Sequence, residues 1–490
     1  MARKKNKTRP TVEETHGARV DAMMEGLHES LAKELGSDRV RSQDEITRRM
    51  IGIPLPSLAF RYLIQQDVLP LGRIITINGL ESSCKSSLMY EIMRWHMVYG
   101  GMALLLENES KDSPDIRQGV WDHNDDFLNK KSRVVQTLYL DDWQNALTRG
   151  LSACQDMMTA RGGPGRSVPV VFGVDSLTAK MSEEGAKKVV KTGHTERGEG
   201  RTVALKLTEY FQWLPSQLID WPFSVVCIQH LKKTKDPRTG MLIRNKPGGA
   251  HVAFMETFEF EMARGRDIQH VDDGGVNLTI ETRKNSLGPA RIKIDVIFRW
   301  WWEDDPVTGT RIQKHVFDWD DASMNMLIKL AKDKKTIWKR VIEVVDLHPK
   351  ISLRKVWSRA LGIPEDNPIS YAEAYRIIEQ TRPDILLELY KILGIRRRRP
   401  LSYGQDFLSL VNDKSHGIPT GPPEPTLYMP PRVEAAEVGA GLTDPVTPEE
   451  ESSVYDTPDA GTVGDAGPVG DLGPAGEADD VTVEAGDGLL

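Results

Sequence analysis

From about Ile51 to Asp320 the chain alternates short apolar runs with longer stretches of helical period. The runs Arg73–Ile77, Met102–Leu106, Val134–Leu140, Val168–Val174 and Phe223–Ile228 are largely continuous rather than alternating. Strands buried on both faces read this way. Helical stretches fall between these early strands, notably Ser86–Tyr99 and Val203–Ile219. The alternation predicts βαβ units and a mostly parallel sheet flanked by helices, an α/β fold. Three further runs, Phe258–Met262, Val276–Glu281 and Arg291–Trp301, have no helices between them. They predict an antiparallel extension at the sheet's edge.

The pattern changes on either side of this core, which is expected to span residues 51–324. Residues 1–50 are polar and partly helical, with Val20, Met23, Met24, Leu27, Leu31 and Leu35 near one helical face. Such a stripe packs either on the body or on a neighbouring subunit. Residues 325–400 show no strand signal and predict a small basic helical domain, with helices at "TIWKRVIEVV" and "DILLELYKIL", that ends at the Arg396–Arg399 run and Pro400. Residues 401–490 read as a linker and an acidic tail. From about Asp413 the tail has too little apolar surface to offset chain entropy, so disorder is expected.

Charge sharpens this division. The formal net charge of the 490 residues is −7, yet residues 433–490 carry fifteen Asp or Glu and no Lys or Arg. The remainder is therefore at +8, and a mildly basic body with an acidic tail suits a protein that touches nucleic acid. No apolar run is long enough to cross a membrane, and the basic N-terminus has no apolar segment behind it. Three widely spaced cysteines, Cys84, Cys154 and Cys227, form neither a disulfide framework nor a zinc pattern. A reducing, cytoplasmic setting is expected.

Candidate chemistry centres on Gly79-Leu-Glu-Ser-Ser-Cys-Lys-Ser, which departs from the phosphate-binding pattern G-x-x-x-x-G-K-[ST] only at Cys84. The loop lies between the strand Arg73–Ile77 and a helix beginning near Lys85. Helix N–H groups and partial positive charge at that junction favour a phosphate. Lys85 is the expected phosphate lysine and Ser86 the Mg²⁺ hydroxyl. Gly79, Glu81, Ser82, Ser83, Cys84 and Ser87 complete the expected nucleotide-binding loop. If position 84 needs φ > 0, a non-glycine residue there costs roughly 1–2 kcal/mol; if φ is negative, it costs little. A thiol beside a lysine at a helix start is expected to have a lowered pKa. Two more strands end in acids. Asp175 closes "VPVVFGVDS", as a Mg²⁺-orienting carboxylate would. Glu107 and Glu109 follow "ALLL", where either carboxylate can polarise an attacking water.

With these motifs in order, the chain resembles the RecA recombinase family. "LPLGRIITINGLESSCKSSLM", "ALLLENES", "VVFGVDSLTA", "VVCIQHLKK", "PGGAHVAFMETFEFEM" and "TRKNSLGPARIKI" carry the likeness over roughly residues 50–305. The resemblance implies a RecA-like P-loop ATPase core that uses ATP and Mg²⁺. It makes Glu109 the catalytic glutamate, and either Gln229 or His230 the sensor of the γ-phosphate. It also implies two DNA-binding loops, residues 180–202 and 232–250. The candidate contacts are Lys187, Lys188, Lys191, Arg197 and Arg201 in the first loop. The second supplies Lys232, Lys233, Arg238, Arg244, Lys246, Gly248 and Gly249. Basic, glycine-containing loops without aromatics suit a single-stranded phosphate backbone. Lys284 matches a family lysine that reaches a neighbouring protomer's ATP, while Ser286 stands where a second lysine would be. Ser113 and Ile116 replace the family's acid and aromatic beside adenine.

The function expected from this likeness is an ATP-dependent DNA recombinase, a DNA-dependent ATPase. It would form a helical homo-oligomeric filament on single-stranded DNA and engage duplex DNA for homologous pairing and strand exchange. Two other readings stay open: a DnaB-like ring helicase motor, and a non-hydrolysing DNA-binding recombination accessory protein.

Overall fold

The computed structural model describes residues 12–36, 50–108, 114–121, 132–136, 143–160, 168–177, 199–218, 223–235, 242–245, 250–269, 273–304, 309, 311–333, 375–376, 379 and 383–401. The acidic tail and most of the expected basic helical segment, including "TIWKRVIEVV", lie outside these residues.

Among the described residues, a nine-stranded sheet organises the protein. Its strands are β3 (Ile74–Gly79), β4 (Met102–Glu107), β5 (Ser132–Gln136), β6 (Val170–Asp175), β7 (Phe223–His230), β10 (Phe258–Gln269), β11 (Asp273–Asn285), β12 (Lys293–Asp304) and β13 (Arg311–Phe317). They lie in the order β13-β12-β11-β10-β3-β7-β6-β4-β5. Pairing is parallel from β10 through to β5 and antiparallel from β10 out to β13. The expected parallel sheet with an antiparallel extension is therefore present, and β13 adds a strand that the apolar pattern did not mark.

The parallel strands are apolar on both faces because each face has its own core. Ile75, Ile77, Val171, Val226 and Ile228 face one side, under α3 (Lys85–Val98), whose Leu88, Met89, Ile92 and Trp95 are buried there. Ile74, Phe172, Val174, Val225 and Cys227 face the other, under α5 (Trp143–Ala160) and α6 (Glu199–Leu218), with Leu151, Leu207 and Phe211. Removing one such large side chain should cost about 2–5 kcal/mol. The sheet also curls. α4 (Pro114–Trp121), which follows β4 near one edge, packs beside β13 at the other edge.

A second, smaller sheet ties the two ends of the core together. β1 (Ile51–Pro54) pairs antiparallel with β2 (Val68–Pro70) and parallel with β14 (Arg399–Pro400). Between β1 and β2 lies α2 (Leu58–Ile64), started by Ser57, whose side chain accepts from the Phe60 amide at 3.3 Å. α8 (Trp319–Asp333) and α9 (Pro383–Leu393) close over it. Tyr375, Ile385, Leu389 and Tyr390 share one apolar cluster with Phe60, Trp95 and Trp319. Several described residues after 325, on α8 and α9 among others, thus pack into the core.

The Arg396–Arg399 run is structural here. Arg397 pairs with Asp67 at 2.8 Å, the Arg398 amide donates to the same carboxylate at 2.8 Å, and Arg399 is buried in β14. At the other end of the chain, α1 (Val12–Leu35) leaves Val20, Met23, Met24, Leu27, Leu31 and Leu35 exposed. Of the three consecutive tryptophans Trp300, Trp301 and Trp302, Trp300 packs on the apolar core and lies against Gly274, while Trp302 is exposed with Arg311 over its ring at 5.7 Å.

Candidate functional site

The strand ends at the sheet's carboxyl edge assemble the site. Order β4-β6-β7-β3 brings the C-terminal residues of four parallel strands side by side: Glu107, Asp175, His230 and Gly79. Open parallel sheets bind their ligands at this edge. Register places Glu107 opposite Asp175, and Gly79 opposite His230. Two side chains far apart in sequence meet there. The Ser86 hydroxyl donates to an Asp175 carboxylate oxygen at 2.6 Å.

The loop from Gly79 to Lys85 turns tightly between β3 and α3. Gly79 has no room for a side chain, because a Cβ would lie 2.7 Å from the Met262 carbonyl oxygen and would also meet the Ser83 hydroxyl. Ser83 is buried and donates to the Leu80 carbonyl at 2.8 Å. The Lys85 ammonium points back across the loop and donates to that same carbonyl at 2.6 Å, with Ser83 Oγ 3.5 Å away. Glu81 and Ser82 are exposed at the loop's tip.

Cys84 takes the left-handed conformation, φ 58° and ψ 30°, and Ser82 also has φ 58°. Position 84 is therefore the case in which the missing glycine costs roughly 1–2 kcal/mol. Cys84 is the N-cap of α3 but provides no side-chain cap. The first-turn amides of α3 thus keep their capacity for an anion, so far as this residue is concerned. The expected low thiol pKa is overturned. The sulfur packs against the apolar core, and that desolvation pushes the thiol up to about 11 despite the opposing charges of Arg264 and Lys85.

Arg264, absent from the sequence-based site, reaches this loop from β10. Its Nη1 donates to the Ser82 carbonyl at 2.9 Å and its Nη2 to Asp267 Oδ1 at 2.7 Å. No loop-like pattern flags it, since it is 182 residues from Ser82 in an ordinary strand.

The sensor candidates sit where β7 ends. Gln229 is fully buried and lies opposite Asn78 of β3, whereas His230 is half-buried at the edge. Lys284 is engaged elsewhere in the same chain. Its ammonium donates to the carbonyls of Ala253 at 2.6 Å and Phe254 at 2.8 Å, at the end of α7 (Ala250–Met255). A cation there satisfies terminal carbonyls and complements the helix dipole. α7 directly follows the second basic segment, so Lys284 clamps that segment's exit to β11.

No protein-family model matches the chain, and no curated protein is significantly similar to it.

Other expected residues divide by placement. Glu109 and Ser113 lie outside the described residues, as do Lys187, Lys188, Lys191, Arg197, Arg238, Lys246, Gly248 and Gly249. Arg201 falls within α6. Lys232 and Lys233 lie on β8 (Lys232–Lys235) and Arg244 on β9 (Leu242–Asn245), which pair as an antiparallel hairpin. The second segment was expected as a flexible loop, and its arms are instead a β-ribbon. The Lys-Lys-Thr-Lys of β8 suits a strand as well as a loop, and only pairing with β9 distinguishes the two. Ile116 is partly exposed on α4.

Proposed function

We propose that this edge binds and hydrolyses a nucleoside triphosphate, ATP, and that the protein is a RecA-like DNA recombinase driven by it. The observation that supports the reading best is the 2.6 Å contact between Ser86 and Asp175 beside the Gly79–Lys85 loop. A hydroxyl on the first turn of a helix and a carboxylate on a neighbouring strand end are the donor set that suits Mg²⁺ with its waters. Mg²⁺ held there would neutralise charge on the β- and γ-phosphates.

The remaining roles belong to the chain. Lys85 exchanges its loop carbonyl for phosphate oxygens, and the α3 amides bind the phosphate between them. Asp175 accepts from the Ser86 hydroxyl and orients it. Glu109, two residues past the end of β4, accepts the proton of the attacking water. Gln229 or His230 feels the γ-phosphate at the end of β7, and β7 leads directly into the basic β8–β9 ribbon. Triphosphate binding is thereby linked to a surface suited to DNA backbone. The apolar stripe of α1 supplies the contact by which one subunit docks on the next in a filament.

Single-stranded DNA should stimulate ATP hydrolysis by the wild-type protein, and Lys85→Ala should abolish both binding and hydrolysis without shifting thermal melting. Equal ATP binding by the two proteins would refute the reading. Electron microscopy with ATP and single-stranded DNA separates open filaments from closed rings. A protein that binds DNA but hydrolyses nothing would be the accessory alternative.

A further inference from the structure

We propose that Arg264 is a positioning residue that holds this glycine-poor phosphate loop in its anion-receiving shape. It would act as an external substitute for the glycine missing at position 84. The inference rests on the reading of the loop as a nucleotide site.

Three observations converge on it. First, the loop contains two non-glycine residues, Ser82 and Cys84, at φ 58°. Each such residue favours a different backbone conformation, so an unrestrained loop would tend to relax. Second, the Ser82 carbonyl, set between the strained centres, accepts from Arg264 Nη1 at 2.9 Å. Third, the strand that carries Arg264 is built to deliver it. β10 runs parallel to β3 in register up to Met262 opposite Gly79, so Arg264 continues past the end of β3 beside the loop. The β10–β11 register shifts immediately after Arg264, and such irregularities redirect side chains. Asp267 then fixes the second terminal nitrogen at 2.7 Å, which limits the guanidinium's freedom.

A planar donor anchored on one side and bonded to the loop carbonyl on the other resists rotation of the Ser82–Ser83 peptide. Lysine cannot reproduce this, having no rigid fork. The dependence should weaken once position 84 can adopt φ > 0 freely.

The test is a double-mutant cycle on the full chain with wild type, Arg264→Ala, Cys84→Gly and the pair, plus Arg264→Lys. Two readouts are needed: the Kd for Mg²⁺–ATP, and amide hydrogen exchange of residues 80–84 without nucleotide. Arg264→Ala should raise the Kd about tenfold, and Arg264→Lys should do nearly the same. In the Cys84→Gly background the same change should alter the Kd less than about twofold. Loop exchange should follow this pattern, faster on removal of Arg264 with Cys84 and little changed with glycine. Equal effects of Arg264→Ala in both backgrounds, or none in either, overturn the proposal. If the wild-type protein binds no ATP, the nucleotide reading fails, and loop exchange alone still decides the role of Arg264.

Discussion

Arg61 and Arg264 anchor two regions of this protein under opposite conditions. Arg61 is buried on α2, where it donates to the Leu55 carbonyl at 2.9 Å and to the Tyr390 hydroxyl at 2.6 Å. It also pairs with Glu379 at 3.2 Å. Burial opposes its charge, but Tyr390, Glu379, Tyr375 and Asp67 outweigh burial and keep it firmly protonated. Arg264 stands on the rim with its side chain more than a third exposed. The buried joint satisfies its polar groups permanently, because nothing else can reach them. The loop's polar groups meet at the rim, Lys85 on Leu80 and Ser86 on Asp175, and on the proposed reading a phosphate or metal would replace those partners. One region is sealed in the core and the other stands at the rim, where the proposed function requires exchange.

The largest effect expected from breaking this contrast is on the buried side. Arg61→Ala strands the Glu379 carboxylate and should lower stability by about 3–5 kcal/mol in urea titrations. Arg264→Ala should cost no more than about 1 kcal/mol, since its ion pair is solvent-screened. Similar losses for the two would erase the distinction.

A titration sharpens the same joint. Asp320 on α8 pairs with Arg376 at 3.0 Å, yet burial, aided by Glu379 and Asp318, raises its carboxyl from 3.8 to about 7. The folded protein therefore holds a proton that the unfolded chain releases near pH 3.8. This contribution to stability is complete below about pH 4 and is lost as pH rises towards about 7, a change of roughly a few kcal/mol. Asp320→Asn should flatten that slope in melting curves taken from pH 4 to 8. An unchanged slope would show that Arg376 controls the carboxylate after all.

Next in size is Tyr375→Phe. The Tyr375 hydroxyl accepts from the Leu58 amide at 3.0 Å in the buried joint. Its loss should cost about 1–3 kcal/mol, because a buried N–H is left unmet.

The smallest effect belongs to the rim and has the opposite sign. Cys84→Gly removes a left-handed non-glycine residue and should tighten ATP binding or speed turnover by about tenfold at most. Thiol alkylation of the wild-type protein should be slow at pH 7 and accelerate towards pH 11, following its raised pKa. Rapid alkylation at neutral pH would restore the expectation of an activated thiol.

The strands of the parallel sheet were legible because burial on both faces writes itself into continuous apolar runs such as "VPVVFGVD" and "FSVVCI". The loop residues stood out because the phosphate-binding pattern has fixed spacing over a few positions. β1, β2 and β14 were not, since strands of two to four residues carry too little periodicity to stand out from turns. The Arg396–Arg399 run marked a domain end in the sequence, and only the packing of Asp67 and β1 against it shows its structural use.

By itself the sequence marked most residues of the candidate site, Arg264 excepted: a glycine-started loop, a lysine, a hydroxyl and strand-end acids, each set by local chemistry. Tertiary structure decided what these residues do to one another. Ser86 meets Asp175 only because the strand order places β6 near β3, and Arg264 meets Ser82 only through the register of β10. The conformation at Cys84 and its raised thiol pKa likewise depend on the packing around the loop. Dihedral angles and desolvation are properties of assembled neighbours, and no reading of residue types along a chain contains them.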